Sequence, residues 1–217
     1  MTVITITEIL AAVCGALALA GGLYLYRSMF MATRGQAIPP YPEPRAALVV
    51  LDLQEGYRGT GAGRPPPIAP QPHGLFATVN RLITWAAAGE MEVAYLRQVF
   101  ASDLIVRLHG GRRQGRVIVD RRVTVINDHD FEKNRTDAFA SRPFEQFLID
   151  RQVNHLYLVG VDAAYCVYYT ALGARQRGYR VTVVSDAVRS RRPLNKVLAR
   201  FRRNGIEVVT SAELLGE

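Results

Sequence analysis

Residues 155–187 read "HLYLVGVDAAYCVYYTALGARQRGYRVTVVSDA". The opening "HLYLVGV" is an apolar run of the kind a strand needs when both of its faces are buried. From 163 to 177 the apolar residues recur at helical spacing, Gly178 supplies the stop, and "YRVTVVSDA" is a second strand. A strand, a helix and a strand in this order form one βαβ unit, with parallel strands and a right-handed crossover.

The same alternation extends outward in both directions. "AALVVLDL" (46–53) is a continuous apolar strand, and Leu75, Phe76, Val79, Leu82, Ile83 and Ala86 predict a helix that Gly89 ends. "MEVAYLRQVF" (91–100) is the next strand. Residues 115–128, "GRVIVDRRVTVIND", read as a strand pair or hairpin with arginines outward. Ser141 and Pro143 open a short helix through Phe144, Phe147 and Leu148. A further helix spans Pro193 to Asn204, with Leu194, Val197, Leu198 and Phe201 inward, and "IEVVT" (206–210) is the last strand. The pattern predicts an α/β fold of three layers, Rossmann-like, with a mostly parallel central sheet of about six strands and helices on both faces. Between the first strand and the first helix lies "QEGYRGTGAGRPPPIAPQPHG" (54–74), too rich in Gly and Pro for regular structure. Its 59–72 portion reads as a lip over a pocket or as plain surface chain.

The N-terminus is different in kind. From Ile9 to Tyr26, "ILAAVCGALALAGGLYLY" carries no charge, and its length predicts a transmembrane helix. A cleaved signal peptide would begin with positive charge, which Met1–Glu8 lacks. A buried core helix fits poorly with the Pro-rich "IPPYPEP" that follows. The division is therefore 1–35 for the helix and its flanks, 36–45 for a Pro-rich linker, and 46–217 for one folded domain. Arg27, Arg34 and Arg45 follow the span and only Glu8 precedes it, so the positive-inside rule predicts a single-pass membrane protein whose domain faces the cytoplasm.

The formal net charge is +8, from 27 Lys and Arg against 19 Asp and Glu. The arginines are scattered in short runs with no interleaved aromatics, which argues against a nucleic-acid partner and for a solvated face near anionic lipid. Cys14 and Cys166 are the two cysteines. One lies in the apolar span, so no disulfide within the domain is available.

Sites in open α/β sheets form beyond the carboxyl ends of the strands. Three chemically distinctive residues fall there. Asp52 ends an otherwise apolar strand, where a carboxylate is costly without a partner. Lys133 is one of two lysines in an arginine-dominated chain, and Lys, unlike Arg, changes protonation readily. Cys166 enters a helix whose first-turn N–H groups favour thiolate. Taken singly, these are also a turn cap, a surface cation and a packed thiol. Together they are a base, a cation that supports the base and lowers the thiol pKa, and a nucleophile.

"ALVVLDLQEGY", "FEKNRTDAF" and "LVGVDAAYCVYYTALGARQRGYRVTVVSDAV" resemble the three signature segments of the isochorismatase-like cysteine hydrolases, and the resemblance extends over most of 46–215. It implies a catalytic triad of Asp52, Lys133 and Cys166, with Asp52 taking the thiol proton, Lys133 supporting the pair, and Cys166 attacking a carbonyl carbon to give a covalent thioester-type intermediate. It further implies a cis peptide between Val161 and Asp162, and an oxyanion hole made by the backbone N–H groups of Asp162 and Cys166. The other reading of that turn is a trans bond with Asp162 capping the helix. Family members that act as nicotinamidases carry an Asp and two histidines as a metal site after the second strand. Here that region offers Asp103 and His109, while His73, His129 and His155 are dispersed, so no metal or other cofactor is expected. Members that cleave a vinyl ether generally lack the cysteine, so Cys166 shifts the expectation to a C–N bond of a small amide, ureido or carbamoyl substrate. Gln54, Tyr57, Gln98, Phe100 and Tyr165, at or past strand ends, are candidate substrate-binding residues. Homo-oligomerisation is also implied. Rival readings are a catalytically silent membrane-tethered scaffold or ligand-binding domain on this fold, and a metal-dependent nicotinamidase-type amidase.

Overall fold

Among the described residues the strands are β1 (Arg45–Leu51), β2 (Glu92–Gln98), β3 (Asp130–Lys133), β4 (Val153–Val161), β5 (Arg180–Arg189) and β6 (Glu207–Val209). They pair in parallel throughout, in the order β3-β2-β1-β4-β5-β6. The computed structural model describes residues 6–55, 74–99 and 118–217. Within the first helix it describes the side chains of 8–24, 26, 27 and 30.

The apolar runs are continuous because the sheet is covered twice. Ala47, Val49 and Leu51 of β1 face one layer, and Leu48 and Val50 face the other. The first layer is built by α3 (Arg142–Asp150), α4 (Cys166–Gln176) and α5 (Leu194–Arg203), through Phe144, Leu148, Val167, Ala171, Val197 and Phe201. The second is built by α2 (Gly74–Ala88) through Leu75, Val79, Leu82, Ile83 and Ala86, with Leu214 of a short C-terminal helix α6 (Ser211–Leu215) packed against it. The period-two alternation along β1 thus splits the core into its two halves. This is the expected three-layer Rossmann-like arrangement, with a six-stranded sheet. The strand order reverses between β1 and β4, where ligand crevices open in such sheets.

Gly160 sets how closely β1 and β4 approach at this point. Its φ is 112°, and a Cβ there would stand 2.0 Å from Leu51 O, so β1 and β4 close on each other only with glycine at this position. The β4–β5 register shifts beside it, between Leu158 and Gly160.

Two expectations are corrected. The hairpin expected over 115–128 is not formed by the residues described from 118 onward. That stretch makes one isolated bridge, Gln54 to Val119, and the third strand comes after it, at 130–133. Side chains hold it as a loop: Asn80 donates to Arg122 O and accepts from Thr124 N–H, Tyr95 Oη donates to Thr124 O, and Asn127 donates to Val93 O. Those bonds satisfy backbone groups that a ladder would have paired.

The N-terminal apolar segment does form a helix, α1 (Ile6–Phe30). The expected transmembrane span is not borne out: among the described residues no helix is long and apolar enough to cross a membrane. The short α6 was missed in the sequence, although "TSAE" spells its capping box, in which the side chains of Thr210 and Glu213 each bond the other's backbone N–H.

Candidate active site

Asp52 stands immediately beyond β1, where the chain enters a left-handed conformation (φ 54°) that Asp tolerates better than most residues. Its N–H still donates to Leu96 O at 2.9 Å, tying the turn to β2. Lys133 closes β3, two strands away. The parallel register sets it beside Gln98 at the end of β2. From there its side chain reaches back over β2. Nζ donates to Asp52 Oδ2 at 2.9 Å, to Gln98 Oε1 at 2.7 Å and to the Arg135 carbonyl at 3.2 Å, which uses all three of its protons. The two charged side chains are 0% and 1% exposed. Burial pulls the Lys133 ammonium down, but the attraction of Asp52 and Cys166 outweighs it and the pKa is raised.

Cys166 opens α4, is buried, and belongs to the same cluster of charges. No side chain caps the helix. Asp52 Oδ1, the oxygen that Lys133 leaves over, is buried and has no hydrogen-bond partner. It is the acceptor available to the thiol proton.

The structure reverses one step of the sequence argument. Helix position and the nearby lysine suggested a lowered thiol pKa, whereas the Cys166 thiol is pushed up to about 12. Burial is the largest cause and the Asp52 carboxylate the next. Lys133 and the Asp162 N–H pull the other way and lose. Cys166 is therefore held as a thiol rather than a thiolate beside the Asp52–Lys133 pair.

The turn before Cys166 is built around Asp162. The Val161–Asp162 peptide is cis. Asp162 O accepts from Tyr165 and Val167 N–H at 3.0 and 3.1 Å, Oδ1 accepts from Ala164 N–H at 2.9 Å, and Oδ2 accepts from Arg191 N–H at 3.2 Å. The cis bond and an Asp162 side chain bonded to the turn thus occur together. Ala163 N–H donates to Arg189 O at 2.7 Å. The end of β5 and the chain after it therefore support this turn, a role hidden in sequence because "RSRRP" reads as solvated charge.

Of the candidate substrate residues, Gln98 and Gln54 have bonded partners of their own. Gln98 holds Lys133, and Gln54 brackets the Gln98 backbone, accepting from its N–H at 2.8 Å and donating to its O at 3.1 Å. Tyr165 is half-buried beside Cys166, with Arg192 Nη2 donating to its hydroxyl at 3.2 Å. Tyr57 and Phe100 lie outside the described residues, as do His73, Asp103, His109 and the 59–72 loop. Among the described residues no three His, Cys, Asp or Glu side chains gather as a metal set. His129 packs at a tilt against Phe147, and His155 bonds Thr182 Oγ1 at 2.8 Å. An open cavity of about 480 Å³ lies along Phe131, Lys133, Asn134 and Pro143, but neither Asp52 nor Cys166 lines it.

The isochorismatase domain model matches residues 46–213. The chain belongs to the isochorismatase family. An isochorismatase family protein of Bacillus subtilis (strain 168) is 41% identical over 64 residues, 30% of this chain and 35% of that protein, so this match spans about a third of that relative's length. Nicotinamidase of Escherichia coli (strain K12) is 24% identical over 183 residues, 67% of this chain and 84% of that one. The crystal structure of pyrazinamidase of Pyrococcus horikoshii in complex with zinc superposes with a TM-score of 0.62 at 25% identity, covering 77% of this chain and 99% of that one. Isochorismatase-family homologues such as nicotinamidase are hydrolases. Asp52, Lys133 and Cys166 all lie inside the isochorismatase-family domain, and α1 lies outside it.

Proposed function

We propose that this isochorismatase-family domain is a metal-independent cysteine amidohydrolase for a small amide, ureido or carbamoyl substrate. The reading is carried by one observation: the unpartnered Asp52 Oδ1 in a buried pair with Lys133, with the buried Cys166 thiol in the same cluster. Asp52 accepts the Cys166 proton as the sulfur attacks the carbonyl carbon, Lys133 holds the base in place, and the N–H groups of Asp162 and Cys166 receive the oxyanion. The protonated Asp52 then returns the proton to the leaving nitrogen, giving ammonia or an amine and a thioester on Cys166. Water attacks the thioester, Asp52 takes its proton, and the thiol is regenerated as the acid leaves. Gln98 and Gln54 act here as positioning residues for Lys133. The supporting experiment is ammonia release from a panel of amides and ureido compounds, lost in Cys166→Ala.

A zinc-dependent amidase is the second reading, favoured by the likeness to the zinc-containing pyrazinamidase. The donor set does not fit it: after β2 the sequence offers Asp103 and His109 without a second nearby histidine. Stoichiometric zinc in purified protein would restore this reading.

We also propose that α1 attaches the enzyme to a membrane, with the domain on the cytoplasmic side. Ile9, Leu10, Val13, Leu17, Leu19 and Leu23 are all at least half exposed, and the positions between them are Ala, Gly and Cys. A helix apolar on all sides needs lipid or protein around it. Assembly into homo-oligomers is part of the same proposal.

A further inference from the structure

The segment after α1 does not hang free. It runs along the nucleophile helix from one end to the other. At the N-terminal end of α4, the Phe30 ring packs edge-on against Tyr165, centroids 6.4 Å apart. Further along, Thr33 N–H and Oγ1 donate to Asp137 Oδ2 at 2.6 and 2.7 Å. Past the C-terminal end, Arg177 donates to Thr33 O at 2.8 Å and Thr33 Oγ1 at 3.2 Å, while Ile38 N–H donates to Arg177 O at 2.8 Å.

The anchoring groups are buried and fixed by other partners. Arg177 is 2% exposed, and its Nε donates to Glu145 at 2.6 Å while its guanidinium lies over the Phe139 ring. Asp137 is fully buried and also caps the turn at Phe139. Gly173 of α4 makes the room for it, because a Cβ there would stand 2.4 Å from Asp137 Oδ2. Residues 30–38 are thus a strap with a built seat.

The strap fixes where α1 leaves the domain. That exit is at Tyr165, one residue before Cys166. The surface around it is basic: Arg192 bonds and stacks on Tyr165, Arg200 lies 3.6 Å over the Tyr168 ring, Arg191 is exposed beside them, and exposed Arg27 and Arg34 flank the exit on the chain itself. An apolar helix emerging from a basic, aromatic surface complements an anionic lipid headgroup layer. We propose that the strap holds the Tyr165 side of the active site against an anionic membrane surface, so that Cys166 works at the headgroup layer rather than at the end of a loose tether. This rests on the membrane reading of α1.

The test is tryptophan quenching in the full chain, reconstituted in phosphatidylcholine–phosphatidylglycerol vesicles in which some lipids carry a headgroup nitroxide. The native Trp85, on α2 and packed with Tyr157 against the opposite face of the sheet, is an internal reference that should keep its emission. Phe30→Trp reports whether α1 enters lipid, and Tyr165→Trp reports where the site sits. Both added signals should be quenched. Thr33→Ala, which removes the Oγ1 contacts to Asp137 and Arg177 from a residue outside the isochorismatase-family domain, should restore the Tyr165→Trp signal and leave the Phe30→Trp signal quenched, with the thermal midpoint of the domain unmoved. Quenching of Phe30→Trp without Tyr165→Trp overturns the proposal while leaving the membrane reading intact, and so does a Tyr165→Trp signal indifferent to Thr33→Ala. Absence of quenching at both positions removes the membrane reading and the proposal with it, as does a stable dimer formed through α1 in place of lipid binding.

Discussion

Lys133 Nζ lies 2.9 Å from Asp52 Oδ2, and neither side chain reaches solvent. Two residues 81 positions apart thus share one buried pair of charges, placed by the ends of β1 and β3. Neither charge is stable there without the other. Lys133→Met is therefore expected to cost about 3–5 kcal/mol, because it leaves the Asp52 carboxylate buried without its cation. Urea unfolding of the variant against the wild type measures this. A loss under about 1 kcal/mol, the range of exposed pairs, contradicts a tight buried pair.

Asp52→Asn separates the base role from general damage, because its two effects have opposite signs. Removing the base should lower turnover about 10²- to 10⁴-fold. The same carboxylate is one reason the thiol is pushed up to about 12, so its removal leaves Lys133 as the nearest charge and ionisation becomes easier. Iodoacetamide should then label Cys166 faster at pH 8 in Asp52→Asn than in the wild type. Slower or unchanged labelling alongside lost turnover rejects this account of the resting thiol.

His155 gives a stability prediction with a defined window. Burial and the neighbouring Arg180 pull its pKa from the ordinary 6.5 down to about 4, against a smaller opposing pull from Glu207. The unfolded chain therefore binds a proton first on acidification, and the contribution of His155 to stability is lost as pH falls from about 6.5 to 4. His155→Gln should flatten that part of the stability profile. Thermal midpoints across the window in both proteins provide the check, and parallel curves would contradict it.

Gly160→Ala should fail through sterics. The added Cβ meets the Leu51 carbonyl and an unfavourable φ at once, so the expected outcome is a loss beyond about 3 kcal/mol or no folded protein. Circular dichroism and expression of soluble chain report it. Wild-type stability in this variant would contradict the close β1–β4 approach.

What was legible in the sequence follows from which forces act locally. The βαβ alternation was readable because strands buried on both faces require apolar runs, and the run in β1 and the helical spacing in α2 satisfy it unaided. Asp52, Lys133 and Cys166 stood out for the same reason, as charged or reactive residues at strand ends. Gln98 did not reveal its bond to Lys133, because that bond depends on the β2–β3 register, and β3 itself was obscured by the loop of 118–129. The direction of the thiol shift was also hidden: it is set by burial, which position at a helix start does not convey. The Thr33 contact with Asp137 joins residues 104 apart and leaves no local pattern at all.

The most direct test of the central claim is ammonia release from a panel of small amides, ureido and carbamoyl compounds by the wild type and Cys166→Ala, with intact-mass analysis of Cys166 during turnover. The account predicts release by the wild type, none above background by Cys166→Ala, and an acyl adduct on Cys166 in the wild type alone. Equal release by both proteins would contradict it.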